Sequence, residues 1–240
     1  MPVFRSIVFS AALAGLIVGV VISIAQFFGT VQLIQQSEVY ERKAAAGTPP
    51  AAHGQAGAAH DQGKPHSHDS EWEPGDGFQR NAFMVAANIL TAIGFALLLT
   101  GIYTIQSRQV TWREGLLWGL AGFVVFTAAP GLGLPPELPG MPVAPLTARQ
   151  TWWIATAAAT AGGLCLLAFR HTAWAAVLGL AIIALPHLIG APLAPESHSD
   201  VPAALSHRFI VVVTLTSLLF WALLGVATSI AFERISRPQP

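Results

Sequence analysis

Apolar residues fall into six runs, each long enough or nearly long enough to cross a bilayer. They are Ile7–Phe28, Ala82–Thr104, Gly115–Leu134, Thr151–Phe169, Thr172–Ile189 and Phe209–Phe232. None contains Asp, Glu, Lys or Arg. A helix needs about 20 apolar residues to span the hydrocarbon core, so the pattern predicts an all-α bundle of about six transmembrane helices. The fifth run is the shortest, and it carries Pro186 and His187 near its end. The first follows Arg5 in the manner of a signal peptide. It runs to full span length and has no small-residue cleavage site before Gln26, so it reads as a retained helix.

The organisation expected is a first helix within residues 1–34, a flexible His-rich loop at 35–80, and a five-helix membrane domain at 81–240. That domain includes a Pro-rich connection over 130–145. Between Ala44 and Pro65 the loop is rich in Ala, Gly, Pro and His without apolar periodicity, a composition that cannot bury a core.

Composition supports the membrane reading. The chain is 53% hydrophobic and 10% charged, against about 25% charged in soluble domains. Net charge is zero, which gives no footprint for nucleic acid. The single cysteine, Cys165, excludes an intramolecular disulfide and a multi-Cys metal site, and reads as a small buried apolar side chain. Gly15/Gly19 and Gly115/Gly119 are small-xxx-small pairs suited to close helix packing. Trp112, Trp152, Trp153 and Trp174 lie at span ends, as an interfacial belt would place them.

Arginine in the short connections sets the expected orientation. With both termini in the cytoplasm, Arg5, Arg108, Arg113, Arg170, Arg234 and Arg237 fall inside. Only Arg149 and Arg208 occupy short outer connections. His53, His60, His66, His68, His198 and His207 then share the outer side with most of the acidic residues. The expected location is a bacterial inner membrane.

Three places carry candidate metal chemistry. His66-Ser67-His68-Asp69-Ser70-Glu71 puts two imidazoles and two carboxylates in one flexible tract, suited to borderline ions such as cobalt, nickel or zinc. The alternative is a solvated polar linker that binds metals only incidentally. Glu137 sits among Pro135, Pro136 and Pro139, where a stiff extended connection would fix it. His187 follows a helix-breaking proline inside an apolar run, and an ionisable group at membrane depth is costly enough to suggest a function. Pro186 also leaves a backbone carbonyl without its N–H partner, as at ion sites in broken transporter helices. Glu196, His198 and Asp200 follow on the same side and are candidates for a second cluster. Copper(I) fits poorly, because it prefers thiolate and thioether ligands.

No Walker A, His-Glu-x-x-His or Gly-x-Ser-x-Gly sequence occurs. Nothing marks an enzyme or a tightly bound cofactor, and energy for transport would come from an ion gradient, the membrane potential or a partner.

Several ordered motifs resemble the CbtA family of bacterial cobalt transporter subunits. They are Ser37-Glu38-Val39-Tyr40-Glu41, Trp72-Glu73-Pro74 with Asp76-Gly77, and Leu117-Trp118-Gly119-Leu120-Ala121-Gly122-Phe123. The proline stretch Leu134–Pro142, Arg149-Gln150 before Trp152-Trp153, and the block Leu185–Pro192 complete the set. The resemblance implies inward movement of Co(2+) for cobalamin synthesis, and a small single-span partner, CbtB, with its own histidines. It brings no ligand set, so the expected metal residues remain His66, His68, Glu137, His187, Glu196 and His198. Together these features predict a subunit for uptake of cobalt or nickel. The alternatives are a non-transporting metal-binding accessory or sensor subunit and an integral membrane enzyme.

Overall fold

In the computed structural model, residues 2–47, 74–75, 77–106, 110–195 and 199–236 are described. Among them there are only helices and connections. The helices are α1 (Pro2–Phe28), α2 (Thr30–Gly47), α3 (Phe78–Ile105), α4 (Trp112–Phe123), a π-helical segment (Val124–Ala128), α5 (Ala129–Gly133), α6 (Leu146–Phe169), α7 (Ala173–Ile189) and α8 (Ala203–Ser236). α4, the π segment and α5 form one continuous rod, Trp112–Gly133.

Five helices are long and apolar enough to cross a membrane: Val3–Phe28, Phe78–Ile105, Trp112–Gly133, Leu146–Phe169 and Ala203–Ser236. The predicted fifth span is present as α7, but its 17 residues make a rod of only about 25 Å. Exposed leucine, isoleucine and phenylalanine side chains cover the outsides of the helices, a surface that only lipid or other protein covers at low cost. The protein is a multi-pass helical membrane protein.

Glycines let the helix pairs approach. A Cβ at Gly15 would lie 2.6 Å from the backbone of Ile93, and one at Gly19 equally close to Ile89, so α1 and α3 meet backbone to backbone and run antiparallel. Gly115 and Gly119 do the same for α4 against Ser229, Gly225 and Trp221 of α8. Both expected small-residue pairs are therefore packing faces. α1, α3, α4 and α8 enclose the main core, which includes Val18, Leu99, Tyr103, Trp221 and Leu224. Phe126 stacks on Trp221 with centroids 5.5 Å apart and planes 6° apart. α6 and α7 form a separate antiparallel hairpin, closest where Gly163 meets Gly179. The hairpin joins the core through the π segment and α5, with Phe126 and Trp153 6.1 Å apart.

α4 begins with a reciprocal cap. The Glu114 N–H donates to Thr111 Oγ1 at 3.4 Å, and the Thr111 N–H donates to Glu114 Oε2 at 2.9 Å. The π segment further along has a local cause. Pro130 lacks an N–H and its ring crowds the carbonyl one turn back, and a widened turn before it relieves both defects.

Several expectations need correction. Helix continues through Pro130 to Gly133, as the third apolar run has it, whereas the Pro-rich connection was expected to begin at residue 130. Pro186 does not interrupt α7, which runs on to Ile189 and ends at Gly190 with φ 91°. The region expected to begin the loop at Gln35 is helical to Gly47. His207, expected in a connection, lies in α8. Cys165 is exposed rather than buried, because the outward face of a membrane helix is as apolar as its inward face. Trp152 is buried and is not part of an interfacial belt, whereas Trp112 and Trp174 are exposed at helix starts.

Candidate metal-handling site

α2, the Pro-rich connection and the start of α8 share one end of the bundle. Leu33, Leu138, Val201 and Phe209 pack there in a small second core. Gly140, with φ 80°, sits against Glu41, and its carbonyl accepts from Ser199 Oγ at 3.2 Å. The proline-rich segment is thus pinned between α2 and the α7–α8 connection, as its stiffness predicts.

Successive turns of α6 place the two described candidates. Arg149 and Trp152 are three residues apart and so lie on one face. The Arg149 guanidinium is 2.9 Å from Glu137 Oε2. That oxygen is shielded from solvent and has no aligned hydrogen bond, so its contact with Arg149 is an ion pair. One turn further, the Trp152 indole N–H donates to the Pro186 carbonyl at 3.3 Å. Its ring meets His187 edge to face, with centroids 5.8 Å apart at 75°. A Cβ at Gly133 would collide with the Trp152 ring and come within 3.0 Å of the Ala191 methyl, so bare backbone is needed to close over the tryptophan. Trp152 is the wedge that sets α5, the end of α7 and Ala191 around one point.

His187 is half-buried, and among the described residues nothing hydrogen-bonds its imidazole. Glu137 is held at the same end of the bundle, but its charge is already balanced by Arg149. No group of three or more His, Cys, Asp or Glu that would hold a metal ion occurs among the described residues. His66, His68, Glu196 and His198, together with His53 and His60, lie outside them.

Two cavities flank this end. A groove of about 1040 Å³ lies between the π segment, α6 and α8, lined by Phe126, Thr127, Pro136, Arg149, Trp153 and Ile210. A polar cleft of about 420 Å³ lies between α2 and the start of α3, where Gln32, Gln35 and Asn81 surround the Glu38–Arg80 ion pair. Below the cleft, the Asn88 amide donates to Gln26 Oε1 at 2.8 Å and to Ser23 Oγ at 3.1 Å, clasping α1 to α3.

The sequence reading missed Arg149 as the partner of Glu137 and Trp152 as the wedge. It had placed Arg149 as an orientation marker and Trp152 in a belt, and both in a family motif, without a contact for either. It also passed over the Asn88 clasp, although an asparagine inside an apolar span was a visible signal.

No curated protein and no solved structure matches the chain. A family model does, over residues 4–233; its description reads "Probable cobalt transporter subunit (CbtA)". That match takes in every described helix except the extreme ends of α1 and α8. The chain therefore belongs to the CbtA family.

Proposed function

We propose that the protein moves cobalt, with nickel as the second candidate, inward across the bacterial inner membrane to supply cobalamin synthesis. The observation that carries this reading is the match to a cobalt transporter subunit family over nearly the whole chain. The site geometry supports it. His187 offers an imidazole without a hydrogen-bond partner among the described residues, beside Trp152, and Glu137 is fixed one α6 turn away through Arg149. Imidazole and carboxylate together suit a borderline divalent ion.

In this account the termini are cytoplasmic and the α2 end faces outward. His66 and His68 concentrate metal there, with Glu196 and His198 as further donors near the entrance. The metal is cargo, and no resident cofactor is needed. Glu137 reaches a metal only by exchanging Arg149 for it, which makes arrival of the cation and release of the guanidinium one event. A small single-span CbtB-like subunit completes the transporter.

The test is metal-resolved uptake of cobalt, nickel and zinc in cells expressing this chain with and without its partner. Cobalt accumulation that depends on this chain supports the reading. Metal binding without accumulation in either case would instead identify an accessory or sensor subunit.

A further inference from the structure

α6 carries two hydroxyls that depart from the pattern of five other threonines in the bundle. Thr100, Thr104, Thr151, Thr214 and Thr228 each donate to the carbonyl four residues earlier, at 2.7–2.9 Å. This is the usual way a helix satisfies a threonine in an apolar setting. Thr156 and Thr160 do not. Both are 0% exposed, and neither hydroxyl has a hydrogen-bond partner in the structure. Ser10 is a third such hydroxyl, but it stands alone on α1. An orphaned buried hydroxyl costs about 1–3 kcal/mol, so two on one helix face require an explanation.

The α6–α7 contacts locate them. Trp152 reaches Pro186, and Gly163 meets Gly179 and Ile183. Thr156 and Thr160 fall between these two contacts on the same stripe of α6. The stretch of α7 opposite includes Ile182. Its carbonyl would normally accept from the residue four positions on, which is Pro186 and has no N–H. Two unpartnered hydroxyls one turn apart therefore share a stretch of the seam with a carbonyl that proline has released. The place is also near the middle of α6, which spans Leu146–Phe169.

We propose that this seam binds a monovalent, sodium-sized cation through the hydroxyl oxygens of Thr156 and Thr160 and the carbonyl oxygen of Ile182. The ligand chemistry selects the class. Neutral oxygen donors without imidazole, thiolate or carboxylate suit a hard cation and not cobalt. A divalent ion buried there would lack the anionic ligands it needs. Backbone carbonyls that lack their helical partner serve as ligands for coupling cations in transporters. Binding of the ion stands on these oxygens alone; its role, coupling an ion gradient to metal entry, rests on the transport reading.

The test uses the purified full chain in lipid nanodiscs, without transition metal. Thermal unfolding is followed in sodium chloride and in choline chloride at equal ionic strength. Sodium should raise the midpoint saturably, because a ligand bound only by the folded state stabilises it. The double variant T156V/T160V should lose the sodium response, while its midpoint in choline equals or exceeds that of wild type, since valine removes the orphan hydroxyls at nearly constant shape. T156S should keep the response. An identical wild-type midpoint in both salts overturns the proposal, as does a full sodium response in T156V/T160V. Should the double variant fail to fold, the wild-type salt comparison decides alone. Cobalt flux measured on the same protein reconstituted into vesicles with its partner separates the two ideas. A sodium shift without flux leaves the site and removes the transport reading; flux without a sodium shift removes the site only.

Discussion

Arg149 holds Glu137: the guanidinium lies 2.9 Å from Oε2, an oxygen shielded from solvent. A carboxylate placed this way serves either as a structural counter-ion or as a metal ligand that arginine guards. Reversing the pair, E137R/R149E, separates the roles. E137Q alone should destabilise the protein, because it leaves the Arg149 guanidinium without its counter-charge, and reduce cobalt uptake at least tenfold. The reversed pair should recover most of the stability but not the uptake. Recovery of both would make Glu137 a counter-ion only.

The α1–α3 seam has no room for a side chain at Gly19, where a Cβ would already lie 2.6 Å from Ile89. G19V should destabilise the bundle by about 1–3 kcal/mol, as overpacking does. The same change at Gly94, where a Cβ would meet nothing within 4 Å, should cost far less. Thermal unfolding of both variants in one detergent checks the contrast. Equal losses would mean that the seam is looser than its geometry.

Topology is open to a labelling test. A cysteine at Ser67 should react with an impermeant thiol reagent added to intact spheroplasts, because the short-connection arginines lie on the opposite side. Labelling only after permeabilisation would reverse the orientation and remove the histidines from the face where metal arrives.

H66A/H68A should weaken uptake chiefly at low external metal, since a local concentrator matters least when metal is plentiful. Acidification should act in the same direction, because imidazole must be neutral to bind and an unperturbed histidine titrates near ~6.5. Uptake unchanged at all metal concentrations would make the segment a linker.

The helices were legible in the sequence because the bilayer imposes one length and one polarity on every span. The places where helix meets helix were less so. Gly15, Gly19, Gly115 and Gly119 announced their packing by spacing alone. Cys165 and Trp152 were misplaced, one outward and one inward, because a lipid-facing and a core-facing side chain look alike in composition. Proline was read too strongly. Pro130 is absorbed by the π turn just before it and Pro186 by the last turn of α7, so neither proline ends its helix where it stands. His187 stood out in the sequence as a polar group inside an apolar run. Its contact with Trp152 was beyond reach, because 35 residues of chain separate them and no local pattern fixes how α6 and α7 align.

The central claim is that His187 receives the metal, and cobalt flux into vesicles reconstituted with this chain and its partner tests it most directly. H187A should abolish flux with protein level and insertion unchanged. H187Q should do the same, since glutamine keeps a hydrogen-bonding group at that point beside Trp152 but is a poor ligand for cobalt. Normal flux in H187Q would contradict the account: His187 would then be a structural residue, and the metal path would lie elsewhere.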